Sequence, residues 1–191
     1  ARLVARDHVV VRPRRGHHHD RDVAQRRVGL DFGERLAAAE AQRYIGRLAA
    51  LGLAPGRFDL LLALDVLEHV PDLPALMANI LRLLKPGGQL LVEVPYEHAL
   101  TAWQDPTHVR ALNERSWVYY TDWFWYLGWM DYRFEIGTFT WLDESLKPCD
   151  KPQAAFMRVG LRKIETTPTE RTHARAMRPD FGGLDEDWLL A

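Results

Sequence analysis

The sequence predicts an α/β fold with a doubly wound, mostly parallel sheet and a C-terminal antiparallel hairpin. Three observations support this. A strand, a helix and a strand follow one another within residues 57–95, a short strand precedes them, and two strand-like segments follow near residues 134–142 and 156–164. Strands joined by a crossover helix run parallel, whereas strands joined by a short loop pair antiparallel.

The strand–helix–strand unit is the clearest local signal. Residues 58–65 form an apolar run that ends in Asp65, which is typical of a buried parallel strand. A helix is expected over residues 75–85, because leucine, isoleucine and methionine recur there at helical spacing. The Pro-Gly-Gly sequence at 86–88 ends that helix, and residues 89–95 form the next strand.

The flanking elements are shorter. Residues 28–32 predict a strand that ends near Asp31, and residues 34–50 predict a helix. We assign residues 1–164 to one domain. Residues 165–191, rich in Thr, Pro, Arg and Asp, are expected to form a C-terminal tail of low order.

Length and composition set limits on the class of protein. A chain of 191 residues, 47% of them hydrophobic, can bury a core without disulfides or metal. Its single cysteine, Cys149, excludes an internal disulfide and favours a reducing compartment. No apolar run approaches the roughly 18 residues of a membrane span, and no signal peptide is visible. We therefore expect a cytoplasmic protein without a membrane partner.

The charge is unevenly distributed along the chain. Residues 1–27, an atypical basic segment, hold eight arginines against three aspartates, whereas the rest of the chain has a formal charge of −6. A basic arm can bind nucleic acid or acidic partners. However, the acidic body repels phosphate and no stacking aromatics accompany the arm, so a nucleic-acid partner is not expected.

An aromatic insertion occupies residues 96–130. Nine of the sixteen residues from 117 to 132 are aromatic. Such a concentration is either dense core packing or the wall of a ligand pocket, and the residue types alone leave both open.

Two motifs stand out in the strand–helix–strand unit: F-D-L-L-L-A-L-D-V-L-E-H-V at 58–70 and L-K-P-G-G-Q-L-L-V-E-V-P at 84–95. In order and spacing they resemble the class I S-adenosylmethionine-dependent methyltransferase family, in its small-molecule type, and the resemblance covers residues 28–164. It implies a Rossmann-like fold and the cofactor S-adenosyl-L-methionine. It also implies methyl transfer to an oxygen or nitrogen of a small-molecule substrate.

The resemblance also implies the cofactor site. The family places an acid like Asp31 against the cofactor ribose, and it runs the loop of Asp65, Val66 and Leu67 along the cofactor. Ligands of open α/β sheets bind beyond the carboxyl ends of the strands, which agrees with these positions. The alternatives are an acidic helix start for Asp31 and a cap or turn role for Asp65.

The candidate acceptor site combines two histidines with residues of the insertion. His69 and His108 are candidate general bases, because imidazoles titrate near neutral pH, although His69 could equally hold the loop in place. The candidate substrate-binding residues are Tyr96, Trp103, Asp105 and Arg110, since residues 102–117 resemble a segment that meets substrate in one branch of the family.

No metal site is expected from the sequence. Glu68 and His69 are adjacent and would point in different directions on a helix. Asp105 and His108 supply only two ligands. The run of three histidines at 17–19 is interpreted as a solvated loop.

The family's glycine-rich first turn is missing. Upstream of Asp31, residues 9–19 contain only Gly16, with three arginines and a proline where bare backbone is needed. Either a foreign start has replaced the N-terminal region, which we favour because residues 28–142 keep the pattern, or the chain is a natural non-catalytic binding or scaffold module. A nicotinamide-dependent oxidoreductase is disfavoured by the absence of G-x-G-x-x-G.

Overall fold

The computed structural model describes residues 53–177 together with the backbone of two N-terminal strands, 7–12 and 29–32. The strands and α-helices of these ranges are β1 Asp7–Arg12, β2 Gly29–Phe32, β3 Phe58–Leu64, α1 Leu73–Leu83, β4 Leu84–Pro95, β5 Tyr132–Leu142, β6 Phe156–Glu165 and α2 Pro168–Met177. Short 3-10 helices lie at Leu67–His69, Leu100–Ala102, Glu114–Tyr120, Phe124–Leu127 and Lys151–Gln153. The predicted helix at 34–50 lies outside the described residues.

The six strands form one sheet in the order β2-β1-β3-β4-β6-β5. β3 and β4 are parallel, and β5 and β6 form the predicted antiparallel hairpin against β4. The α/β class is therefore confirmed. One detail differs, because β1 runs antiparallel to both β2 and β3, so the sheet is mixed rather than mostly parallel. The direction of a short valine-rich strand is not encoded in its composition, since either pairing satisfies its backbone.

The central β3–α1–β4 unit forms as the sequence predicts, with shifted boundaries. The Asp72 side chain caps α1 by accepting a hydrogen bond from the backbone N–H of Ala75 at 3.0 Å. The helix ends at Leu83 rather than at residue 85, because Leu84 already pairs with Phe58 as the first residue of β4.

A break in strand register explains the Pro-Gly-Gly sequence that the prediction placed between helix and strand. The pairing shifts between Phe58 and Leu60, which faces Gln89. Gly87 has a φ of 78°, which favours glycine, and a Cβ on Gly88 would lie 3.0 Å from the carbonyl oxygen of Phe58. The two glycines therefore serve a bulge at the start of β4.

The core lies between α1 and the sheet. The buried residues of α1 are Leu73, Leu76, Met77, Ile80, Leu81 and Leu83. They join one hydrophobic cluster with the inner residues of β3, β4 and β6, and with Trp117 and Phe134. The helical spacing read from the sequence thus identifies the face of α1 that packs on the sheet.

Helix α2 lies where we expected a tail of low order. Its first turn is capped reciprocally: Thr167 Oγ1 accepts from the backbone N–H of Glu170 at 3.2 Å, and Glu170 Oε2 accepts from the N–H of Thr167 at 2.7 Å. Glu170 also pairs with Arg133 of β5 at 2.5 Å, which attaches the helix to the sheet. Among the described residues, no helix is both long and apolar enough to cross a membrane.

Truncation of Met77 tests the packing of α1. Met77 is fully buried, whereas Met177 at the end of α2 is 47% exposed. We expect Met77→Ala to lower the free energy of unfolding by about 2–5 kcal/mol through lost burial and a residual cavity. The matched control Met177→Ala should change it by less than about 0.5 kcal/mol. Urea denaturation measures both, and equal effects would contradict the assigned core.

Candidate active site

The site lies at the carboxyl ends of the central strands β3 and β4, which we call the carboxyl edge of the sheet. Leu64 pairs with Glu93 on one side and with His8 on the other, and His8 in turn pairs with Asp31. Because β1 is antiparallel to both of its neighbours, β2 runs parallel to β3. Position 31 therefore lies at the same edge as Asp65, about 10 Å away across two interstrand spacings.

Asp65 turns the chain away from the sheet. Its φ is 52°, in the left-handed region that non-glycine residues rarely adopt. Its backbone N–H donates to the carbonyl oxygen of Glu93 at 2.9 Å, which keeps the turn against the end of β4. Of the next two predicted cofactor residues, Val66 is half-buried and Leu67 is fully buried in the core. Only the backbone of Leu67 can therefore contribute to a ligand site.

Two loops meet at this edge, one after β3 and one in the insertion after β4. The backbone N–H of Val109 donates to the carbonyl oxygen of Glu68 at 2.9 Å. Nη2 of Arg110 donates to the carbonyl oxygens of Val70 at 2.5 Å and Pro71 at 2.6 Å. Arg110, predicted to bind substrate, thus fastens the two loops to each other.

A chain of hydrogen bonds orients His69. Thr107 Oγ1 donates to Asp105 Oδ1 at 2.6 Å, and the backbone N–H of Thr107 donates to the same oxygen at 2.8 Å. These bonds hold the pKa of the Asp105 carboxyl below its usual value, and the nearby imidazoles of His108 and His69 act in the same direction. Because its own proton is directed at Asp105, Thr107 Oγ1 accepts from His69 Nδ1, 3.1 Å away.

The two candidate bases are in contact. The rings of His69 and His108 lie 4.7 Å apart at an angle of 71°. His108 Nδ1 lies 2.9 Å from the carbonyl oxygen of Ala102. A carbonyl can only accept, so the proton of His108 resides on Nδ1 and the lone pair on Nε2.

Glu68 joins His69 and His108 in one cluster and is not among the site residues predicted from the sequence. Its side chain is only 3% exposed, and its Oε1 lies 3.9 Å from His69 Nε2. One ligand atom from each of Glu68, His69 and His108 lies within 4.8 Å of the others. Adjacent residues 68 and 69 are expected from the sequence to point in different directions, whereas in the turn Leu67–His69 the ends of their side chains approach each other.

The aromatic residues of the insertion divide between packing and exposure. Trp117 is fully buried in the core, and Tyr96 is buried against Trp141 at 4.7 Å between ring centres. Trp103 and Trp123 are exposed, and Trp103 donates from Nε1 to the carbonyl oxygen of Glu97 at 2.7 Å. Of the predicted substrate-binding residues, Trp103 and Asp105 thus retain surface, whereas Tyr96 serves the core.

Comparison with known proteins identifies the family. A family model described as "Methyltransferase domain" matches residues 4–139, so the match includes β3, α1, β4 and both loops that carry Glu68, His69 and His108. The chain therefore belongs to the methyltransferase-domain family.

Individual relatives are similar over shorter stretches. The "Probable S-adenosylmethionine-dependent methyltransferase" of Mycolicibacterium smegmatis is 34% identical over 102 residues, 48% of this chain and 40% of that protein. The ubiquinone biosynthesis O-methyltransferase of Caulobacter vibrioides is 42% identical over 64 residues, 34% of this chain and 22% of that protein. The matched part of the chain thus spans less than half the length of either curated relative. The crystal structure of a SAM dependent methyltransferase from Archaeoglobus fulgidus has a TM-score of 0.42 and 16% identity, covering 62% of this chain and 64% of that chain.

S-adenosylmethionine is the cofactor of this family, and the described residues fit one end of it. Positions 31 and 65, both aspartates in the sequence, lie where β2 and β3 end, and aspartate is a residue type that accepts from the hydroxyl and amine donors of a nucleoside. The described residues include no glycine-rich turn that would hold the methionine end of the cofactor. Arg12, the last residue of β1, pairs with Leu60 near the start of β3, so β1 ends at the opposite edge of the sheet.

Removal of the Thr107 hydroxyl tests the hydrogen-bond chain. We expect Thr107→Val to raise the pKa of Asp105 towards its usual value and to destabilise the protein by about 1 kcal/mol at neutral pH, a figure reduced for the partial exposure of Asp105. A lowered carboxyl pKa stabilises the folded protein above the unfolded-state pKa, and this stabilisation is lost as pH falls through the folded-state pKa. The difference in stability between the parent and the valine variant should therefore shrink below about pH 4.

The matched control is Thr107→Ser, which keeps a hydroxyl. Its Asp105 titration, followed by carboxyl NMR, and its urea midpoint should stay close to those of the parent. A valine variant with an unchanged Asp105 pKa would show that the Thr107 side chain does not hold the carboxylate.

Proposed function

We propose that this protein transfers a methyl group from S-adenosylmethionine to a hydroxyl or amine of a small molecule. The observation that carries this proposal is that His69, His108 and Asp105 lie together beyond the carboxyl ends of β3 and β4. Positions 31 and 65 lie at the same end of the sheet. Ligands of open α/β sheets bind at this edge.

Each group has a definite task in this proposal. When bound, S-adenosylmethionine supplies an electrophilic methyl group on a sulfonium sulfur. Asp31 and Asp65 accept hydrogen bonds from its nucleoside. His69 or His108 takes the proton of the acceptor at Nε2, since the Nδ1 side of both rings faces oxygen acceptors. Thr107 and Asp105 keep the ring of His69 in place.

Two further observations bear on the acceptor. The matched relative from Caulobacter vibrioides is named an O-methyltransferase, which supports an oxygen nucleophile. The chain outside residues 1–27 is acidic, which disfavours a nucleic-acid substrate. A small molecule with a hydroxyl or amine nucleophile is therefore the class of substrate that we propose.

A non-catalytic binding module is the second candidate. It is favoured by the lost glycine turn, since residues 9–19 retain only Gly16. In this alternative the protein keeps the fold and the edge cluster without turnover. Binding and turnover must therefore be measured separately.

Calorimetric titration with S-adenosylmethionine tests the cofactor site. We expect saturable binding that Asp31→Ala weakens by about 1–3 kcal/mol, the usual cost of removing charge-assisted hydrogen bonds. Asp122→Ala, at an exposed position of the insertion, is the control and should leave the affinity unchanged. Equal affinities of the Asp31 variant and the parent would reject the assignment of Asp31, and absence of binding would reject the proposed activity.

Substitution of His108 tests the acceptor site. We expect His108→Ala to reduce turnover of a responsive acceptor by about 100-fold or more, as loss of a general base does, while cofactor affinity stays within about twofold. Methyl transfer from radiolabelled cofactor to a panel of phenols, catechols and amines provides the measurement. The exposed His98→Ala is the control. Unaffected turnover, or a joint collapse of folding and cofactor affinity, would contradict the assignment.

A further inference from the structure

The cluster of Glu68, His69 and His108 has the composition of a metal centre. Two imidazoles and one carboxylate are the donor set of many catalytic zinc sites and of non-haem iron sites. One ligand atom of each residue lies within 4.8 Å of the other two, and Glu68 is 2% exposed. The three side chains come from two loops that are hydrogen-bonded directly to each other through Val109 and Glu68.

The hydrogen bonds around the two imidazoles supply an independent observation. Metal-bound histidines usually donate their second ring N–H to a carbonyl or carboxylate, which fixes the ring and directs the lone pair at the metal. His108 Nδ1 lies 2.9 Å from the carbonyl of Ala102. His69 Nδ1 lies 3.1 Å from Thr107 Oγ1, whose own proton goes to Asp105, and 3.3 Å from the carbonyl of Thr107.

His69 Nε2 therefore faces Glu68, and Nε2 is the ring nitrogen of His108 that the carbonyl of Ala102 leaves available to a ligand. Ligand atoms on a tetrahedral zinc ion are about 3.4 Å apart at the usual bond lengths. His69 Nε2 and Glu68 Oε1 are 3.9 Å apart, so modest side-chain rotations bring them to that separation.

We propose that Glu68, His69 and His108 bind one divalent transition-metal ion, with both histidines coordinating through Nε2. Three protein ligands leave a coordination position for an oxygen or nitrogen of the acceptor. A role in catalysis rests on the proposed methyl transfer: coordination would lower the pKa of the acceptor hydroxyl and release its proton to solvent. The ion would then replace His69 or His108 as the means of deprotonation. Metal binding itself does not depend on methyl transfer.

Cobalt binding tests the site directly, because the visible spectrum of Co²⁺ reports its coordination. Residues His17, His18 and His19 are first replaced by serine, since adjacent imidazoles bind such ions by themselves. We expect one Co²⁺ per chain with the bands of a low-symmetry, four- or five-coordinate site, displaced by Zn²⁺, and a higher thermal midpoint with metal because the ion binds the folded state.

Glu68→Gln and His108→Gln should each weaken Co²⁺ binding by far more than tenfold, and Thr107→Val, which acts through His69, by about tenfold. His98→Gln is the matched control, because His98 also follows a glutamate. Its Nε2 lies 3.5 Å from Glu97 Oε1, but its side chain is 73% exposed. This control should bind Co²⁺ as the parent does. Circular dichroism identifies any variant that fails to fold. If Glu68→Gln does not fold because Glu68 is buried, His108→Gln alone decides the test.

The outcomes separate the two proposals. Absence of stoichiometric binding, or binding that survives both ligand variants, overturns the metal site. Binding lost equally in His98→Gln overturns it as well. Methyl transfer that persists after chelation leaves the proposed function intact and removes the metal from it, whereas stoichiometric binding without any methyl transfer supports the site and contradicts the function.

Discussion

The parallel pairing of β3 with β4 is the constraint on which the rest of the structure depends. Parallel strands need a crossover, which α1 provides, and they end at one common edge. The two loops that carry polar side chains therefore begin side by side, at Asp65 and after Pro95. Reversal of either strand would send one loop to the far side of the sheet. The apolar face of α1 and the antiparallel hairpin on the other flank of β4 stabilise this pair without entering the site.

The elements that could be predicted from the sequence are those defined by local pattern. The β3–α1–β4 unit follows from apolar spacing and a Pro-Gly-Gly break, and the hairpin follows from two strand-like runs. The direction of β1 could not be predicted, because it depends on partners rather than on its own residues. Helix α2 was not predicted, although Thr167 and Glu170 form a capping box. The Thr, Pro, Arg and Asp content of residues 165–191 favoured a tail of low order instead.

The candidate site was predicted in part for a similar reason. Asp105, His108 and His69 were selected by residue type and by family resemblance. Their convergence with Glu68 depends on a 3-10 turn and on a hydrogen bond between residues 68 and 109, which no local pattern encodes. Thr107 could not be predicted because a single threonine has no sequence signature. Its hydroxyl links Asp105, two residues before it, to His69, which is 38 residues away along the chain. Roles that arise from tertiary contact are the part that sequence reasoning cannot supply.

The double hydrogen bond from Arg110 has a consequence for how molecules enter the cluster. One guanidinium nitrogen spans the carbonyls of Val70 and Pro71, so displacement of the insertion loop pulls on the turn after β3 as well. The two loops thus move as a single body, and admission by parting them would require both carbonyls to be released together. Approach past Leu100 and Trp103, which are 84% and 69% exposed, would leave both of these hydrogen bonds intact. The fastening that shapes the cluster therefore also determines the side from which it can be reached.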